Sequence, residues 1–358
     1  MRVEPTVTLF PAGSQEHLAD LATLKKRGLA LAHDHASWPL HNTTARWLWV
    51  RVRDGNILLS GFAVELHRSR AMPGMRIGRI RRFGSALHHA LSPVAGDLLS
   101  ATARQIPRLL RLDVEIFDID GKQRELLAST LRQSNWQPAA DEAGYRETLR
   151  LPLANTTEVT LLSNFNSRTR RNIRKTLRES ALRFATVTAP QYEQQLHDLH
   201  QASFARSGGN APALDVTGML ADAYEQRHSI LLGCFDQRQQ PPHDLIAFAW
   251  ITAQGDHAVY AHAGAKRIAS NIAPGAVIMW EAIRWARDRG FDWFDLGGAT
   301  AANAQADDPL AGITAFKRGF STDHIEVATT LSYSPSPLLA NMLDHGRRLA
   351  RISHRVVR

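Results

Sequence analysis

The stretch FDWFDLGGATAANAQADDPLAGITAFKRGF, Phe291 to Phe320, organises the reading of this chain. It opens on an aromatic-rich strand that ends in Asp295-Leu296-Gly297-Gly298. It then crosses a loop of small residues and closes on Phe316-Lys317-Arg318-Gly319-Phe320. Adjacent glycines behind a buried strand let the backbone take conformations closed to other residues, or let another group approach closely. A lysine and an arginine set between two phenylalanines point to cations fixed by packing rather than loose in solvent. The combination reads as a substrate-handling edge.

Working outward, the residues before this stretch predict strands at 182–188, 229–236, 245–253 and 258–264, with helices at 190–205, 216–227 and 274–289. A longer helix is expected over 157–180, its apolar side holding Leu161, Leu162, Phe165, Ile173 and Leu177. The first half predicts a strand at 6–10, a helix at 14–32, and strands at 47–53 and 57–66 joined by Asp54-Gly55-Asn56, a hairpin signal. A helix at 97–110, a strand at 112–118, a helix at 125–134 and a strand at 145–153 follow. Both halves mix locally paired strands with inserted helices. The fold class is therefore α/β with mixed sheets. Two similar domains are expected, 1–153 and 154–335, and a C-terminal tail at 336–358.

The length of 358 residues agrees, since a single core rarely grows that large. Composition is that of a soluble globular protein, 44% hydrophobic and 22% charged. No apolar run reaches the ~20 residues of a spanning helix, and the N-terminal residues do not read as a signal peptide. The lone Cys234 rules out an internal disulfide or a cysteine-based metal cluster. A cytoplasmic location is the expectation. The formal net charge of +9 favours polyanionic company: nucleic acid, nucleotide phosphates or an anionic membrane surface.

Charge concentrates in SRTRRNIRKTLRESALR, residues 167–183, where seven bases (Arg168, Arg170, Arg171, Arg174, Lys175, Arg178, Arg183) face the single acid Glu179. At helical spacing Arg168, Arg171, Lys175 and Arg178 share one face, and Ile173 and Leu177 another. Guanidinium groups grip phosphate bidentately, so Arg170, Arg171 and Arg174 are candidates for a diphosphate or an RNA backbone. Arg206 sits at a predicted helix end that runs into Gly208-Gly209, where it either caps carbonyls or binds an anion. No metal site is expected: His197 and His200 are three apart on a helix and His88-His89 are adjacent, without a supporting carboxylate pattern. A Walker loop, a nucleophile elbow and a Rossmann glycine fingerprint are missing as well.

Four landmarks now stand in order: SRTRRNIRK before ALRFATV, the arginine at 206 close to glycine, WEAIRWARDRG followed by WFDLGG, and GITAFKRGF. In this the chain resembles the FemAB-type peptidyltransferases and the related GNAT-like acyltransferases of bacterial envelope and exopolysaccharide gene sets. The resemblance covers most of residues 100–335 and is most specific at its DLGG and FKRGF end. It implies two tandem GNAT-like domains. It further implies amide formation, an aminoacyl or acyl group passing to an amine of a cell-envelope or polysaccharide precursor. Fem enzymes take the group from aminoacyl-tRNA. The resemblance also makes Lys317 a catalytic residue that contacts the acceptor or stabilises the oxyanion, and Arg206 a ligand of the precursor's diphosphate. Asp295 and Tyr260 would line the same cleft, shaped by Gly297 and Gly298.

The chain departs from some Fem proteins in lacking a long coiled-coil insertion, and related members use a donor that is an acyl-CoA. The donor is thus aminoacyl-tRNA or acyl-CoA, with no tightly bound cofactor. Between Tyr260 and Gly275 the chain offers Lys266, Arg267, Ser270 and Asn271 as donors, but the glycine-rich spacing of acetyl-CoA-dependent GNAT enzymes is absent. Two alternatives remain: an acetyl-CoA-dependent N-acetyltransferase, and a non-catalytic basic module for RNA or membrane. The tail, with Leu339, Met342, Leu349, Ile352 and Val356 along one side and arginines elsewhere, is a candidate for peripheral contact with anionic lipid.

Overall fold

A computed structural model describes residues 4–336, apart from 32–44, 71, 86, 141–143, 180, 207–210, 212–213, 226–228, 269–271 and 301–310. The described elements of the first half are β1 (Thr6–Pro11), α1 (Gln15–Lys26), β2 (Arg46–Asp54), β3 (Ile57–Arg68), β4 (Arg76–Phe83), α2 (Ala95–Gln105), β5 (Leu109–Phe117), α3 (Gly121–Gln133), β6 (Gln137–Pro138) and β7 (Glu147–Pro152). Then come α4 (Glu158–Asn164), α5 (Ser167–Leu177), β8 (Leu182–Thr186), α6 (Glu193–Ala205), α7 (Val216–Glu225), β9 (Ser229–Asp236), β10 (Leu245–Gln254) and β11 (His257–Ala265). The chain continues through α8 (Pro274–Asp288), β12 (Trp293–Gly298), α9 (Ala311–Lys317), β13 (Asp323–Glu326) and β14 (Ala328–Tyr333).

These elements form two units, each with its own mixed sheet. The first sheet has the order β1-β2-β3-β4-β5-β14-β6 and the second β13-β7-β12-β11-β10-β9-β8. In the first, β1 to β4 run antiparallel to their neighbours, and α2 crosses over to bring β5 parallel to β4. Alternate strand residues such as Val50, Val64, Ile80 and Val114 pack under Leu98, Leu99, Leu127 and Leu131 of α2 and α3. The second sheet repeats the plan: β8 to β11 are antiparallel, and α8 crosses over to a parallel β12.

Both faces of the second sheet are covered, which explains why β10 (LIAFAWITAQ) is almost uninterruptedly apolar. One face packs Ala249, Ile251, Phe294 and Leu149 against Leu161, Ile173, Met279 and Ile283 of α4, α5 and α8. The other receives α6 so closely that a β-carbon on Gly264 would lie 2.5 Å from the Leu199 backbone. Pro274 opens α8, where a missing N–H costs nothing. Gly290 closes it with φ +78°, its N–H on Arg287 O and the Phe291 N–H on Ala286 O. That left-handed stop turns the chain straight into β12.

Three expectations differ from this architecture. The strand expected at 145–153 falls in the first expected domain, yet β7 pairs with β12 and β13, while β14 returns to pair with β5. The units accordingly divide at Tyr145–Glu326 rather than at 153 and 335. A boundary read along the chain cannot show which edge a strand's N–H and C=O groups will join. The helix expected at 157–180 is two: Phe165 is extended, and the Asn166 side chain caps α5 by accepting from Thr169 N at 2.7 Å. The helix expected at 97–110 stops at Gln105 because Pro107 disfavours helical conformation at Ile106. The expected amphipathic tail lies outside the described residues beyond Ser336.

Candidate active site

Lys317 ends α9 as a buried lysine, 7% exposed. Its Nζ donates to Gly298 O at 2.6 Å. Burial pushes the ammonium down from 10.5 to about 8, and the neighbouring Asp295 carboxylate opposes that fall. The lysine is thus charged at neutral pH but has three donors and one carbonyl partner among the described residues.

Its height above the sheet is set by the FKRGF segment. The Asn166 N–H donates to Gly319 O at 3.0 Å. A β-carbon on Gly319 would fall 2.3 Å from Thr169 Oγ1, so no side chain fits there. Phe320 meets Phe165 edge-on at 5.1 Å, and Phe165 meets Trp280 at 5.7 Å. The two phenylalanines expected to grip the lysine are instead seen packing on other rings, Phe320 on Phe165 and Phe316 on Phe320. Phe320 is core, whereas Phe316 is 40% exposed; the Gly298 carbonyl, not aromatic packing, fixes Nζ.

Asp295 is fully buried, and both its oxygens are taken. Oδ1 accepts from Thr148 Oγ1 (2.5 Å) and from Gly297 N (2.7 Å), and Oδ2 accepts from Tyr145 Oη (2.5 Å). Gly297 stands at φ +78°, and the β12–β7 register slips between Asp295 and Gly298. The carboxylate thereby closes a bulge that turns Gly298 O toward the lysine. This arrangement makes Asp295 a positioning residue and the electrostatic partner of Lys317.

Phe294 and Leu296 pack into the core beneath α8, so Asp295 between them points to the opposite face. Tyr260 belongs to the core side, its ring 6.5 Å from Phe294, and burial pushes its hydroxyl up. Its side chain does not join the Asp295 face. What Tyr260 brings to Gly297 is its carbonyl oxygen, 2.8 Å from where a β-carbon would stand. Beyond that point the parallel strands part: β11 and β12 pair over His257↔Trp293, Ala258↔Phe294 and Val259↔Asp295. Trp250 pairs with His262 and Ile251 with Tyr260, leaving Ala261 as an extra, bulged residue that helps the strands diverge.

The arginines divide. Arg170 spends its guanidinium on the Ser163 and Phe165 carbonyls, tying α4 to α5. Arg171 and Arg174 are exposed, as are Arg168, Lys175 and Arg178. Leu177, expected on the apolar side, is exposed too. Arg206 caps α6 and donates to Ala265 O (2.8 Å) and Ser203 Oγ (2.9 Å), joining the helix end to β11. Burial and nearby Arg267 both lower its pKa.

Residues 163–318 match the family model of the acetyltransferase (GNAT) domain. The second unit carries a GNAT-type acyltransferase domain. The parted strands, the bulge and Lys317 all fall within or at the edge of this GNAT segment. In solved structures, FemX shares 14% identity with the chain, covering 92% of it and 98% of FemX at a TM-score of 0.75. L-PGS from Bacillus licheniformis shares 13%, covering 95% and 98% at a TM-score of 0.51. These likenesses are of fold. No curated protein matches the chain in sequence.

Tyr145 and Thr148, whose hydroxyls hold Asp295 from β7 and the residues before it, are not among the candidates the sequence offers. They lie about 150 positions away along the chain. Thr148 stands in β7 (ETLRLP) between Glu147 and Leu149 with Arg150 nearby, so its polarity is no local signal.

Proposed function

We propose that this chain forms amides, moving an acyl or aminoacyl group from an activated ester or thioester to an amine of a phosphate-bearing cell-envelope precursor. The observation that carries the reading is the desolvated Lys317 ammonium, fixed on Gly298 O beside the parted ends of β11 and β12. Attack of an amine on an acyl carbon builds negative charge on the carbonyl oxygen. A cation already stripped of water stabilises that charge without reorganising. Asp295 holds the bulge and keeps the lysine protonated. Catalysis by Lys317 then needs its charged form, so turnover attributable to it falls as pH rises through about 8.

The FemAB-type resemblance and the exposed Arg168, Arg171 and Arg174 face of α5 favour an aminoacyl-tRNA donor. The GNAT domain match favours a second reading, in which acetyl-CoA is the donor. Thermal-shift titration separates them: a Tm rise with aminoacyl-tRNA and none with acetyl-CoA supports the first, and the converse supports the second. Among the described residues, no helix is long and apolar enough to cross a membrane. The decisive experiment is Lys317→Met in the folded protein. Unchanged turnover would sink the proposed role.

A further inference from the structure

Alternation along β11 slips by one. Ala258, Tyr260, Ala263 and Ala265 all pack with the core beneath α8, because the bulge at Ala261 inserts a position between Tyr260 and Ala263. His262 is thereby turned to the opposite face, the one Asp295 points to. In an unbulged strand it would lie beside Tyr260 in the core. Val259 pairs with Asp295, and His262 and Gly298 each lie three residues further along these parallel strands. Imidazole and lysine-bearing carbonyl therefore stand on the two sides of the same opening.

The ring of His262 is held between two neighbouring rings. It stacks on Trp250 with centroids 5.7 Å apart and planes 6° apart, and it meets His200 of α6 at 5.5 Å and 80°. His200 is 1% exposed, also packs against Phe204, and its Nε2 has no hydrogen-bond partner among the described residues. Leaving a buried ring nitrogen unsatisfied is costly. Burial and nearby His197 both lower the His200 pKa, so this second imidazole is neutral at neutral pH. Among the described contacts, His262 meets His200 of α6 and Trp250 of β10, and His197 lies near enough to His200 to lower its pKa. Asp295 is on the neighbouring strand β12, whose Gly298 carbonyl holds Lys317.

We propose that His262 is the base that deprotonates a primary-amine acceptor at this opening, with His200 as its positioning residue. The assignment rests on the amide-forming reading. The acceptor arrives as R–NH3+, and His262 takes one proton to become imidazolium. The freed lone pair forms the C–N bond as the acyl C=O electrons move to an oxyanion stabilised by Lys317. Collapse breaks the bond to the ester or thioester leaving group, which leaves with the second amine proton, and imidazolium returns its proton to water. A neutral His200 places no like charge 5.5 Å from the imidazolium that forms on His262, so proton uptake there meets no repulsion from it.

The test uses the full chain with p-nitrophenyl acetate as acyl probe and n-butylamine as acceptor probe, followed from about pH 5 to about pH 9. His262→Gln is expected to lower kcat/KM for amide formation about 100-fold and to remove the acid limb of the profile. His200→Phe is expected to move that limb while leaving the thermal transition cooperative. If the limb does not move, His200 has no positioning role. Imidazole 15N signals give a readout independent of turnover: n-butylammonium should perturb those of His262 and His200. If Lys317→Met abolishes the reaction while His262→Gln keeps both rate and limb, the base assignment falls and the amide-forming reading stands. If no amide forms but the ring signals respond, the amine site stands and that reading falls. Silence in both measurements overturns the assignment.

Discussion

Among the described residues each unit contains one pair of parallel strands joined by a helix, and the two pairs have opposite fates. In the first unit β4 and β5 stay paired from Arg76↔Leu109 to Phe83↔Ile116, across two register shifts. In the second, pairing of β11 with β12 ends at Val259↔Asp295. Both use the same device, a residue at positive φ whose N–H is given to a buried carboxylate. Arg82, at φ 51°, donates to Glu115 on the neighbouring strand, and its guanidinium lies 3.9 Å over Phe117. Gly297, at φ +78°, donates to Asp295 two residues back on its own strand. A carboxylate across the gap stitches two strands together. A carboxylate on the same strand turns that strand away and leaves the gap unpaired.

The contrast breaks most visibly at the two cations. Lys317→Met should lower turnover ~100- to 1,000-fold, whereas Arg82→Met should leave turnover within ~3-fold and lower stability by about 1–2 kcal/mol through its lost cation–π contact. Equal effects in steady-state kinetics and denaturant melts would erase the distinction. Lys317→Met also has a signed stability effect. The folded lysine titrates near 8 and the unfolded one near 10.5, so between these values the unfolded chain holds more protons. Stability of the unaltered protein should rise with pH across that window, and the variant's should not.

Gly297→Ala comes next. A β-carbon there meets the Tyr260 carbonyl at 2.8 Å and forces a strained φ, so melts should show a loss of about 1–3 kcal/mol together with reduced turnover. Asp295→Asn sharpens the electrostatics. Asp295 raises the Lys317 value, so removing its charge should move the alkaline limb of the rate profile below about 8. An unmoved limb would separate the pair. The smallest effects concern α5. Arg170→Ala should cost about 1 kcal/mol of stability through its lost carbonyl bonds. Arg171→Ala with Arg174→Ala should leave stability unchanged and, on the proposed aminoacyl-tRNA reading, flatten the salt dependence of binding measured with tRNA by about two charges.

Much of this was legible in the chain itself. Periodicity and punctuation placed the strands before α8 and the helix itself, because Pro274, Gly290 and a continuous apolar β10 act locally. Lys317 and the DLGG glycines were legible as a constrained pair of features. Arg170 was not legible as a backbone tie, and Arg206 was legible as one only beside the anion-binding alternative: a guanidinium that binds phosphate and one that binds carbonyls look alike until the carbonyls are in place. His200 was visible only as half of a metal pair without its carboxylate. Its partner turned out to be His262, which a single inserted residue rotates across the sheet.

What the sequence by itself determined is the inventory: two mixed α/β halves, a basic helix, and a lysine beyond a glycine pair. These follow from local propensity and burial, which act over a few residues. The tertiary structure alone decided that β7 and β14 change places between sheets, that Asp295 is held by Tyr145 and Thr148, and that Lys317 is dry. Those outcomes depend on which distant backbone edges and hydroxyls meet. The charge state of a buried cation is set by that meeting and not by its neighbours in the chain.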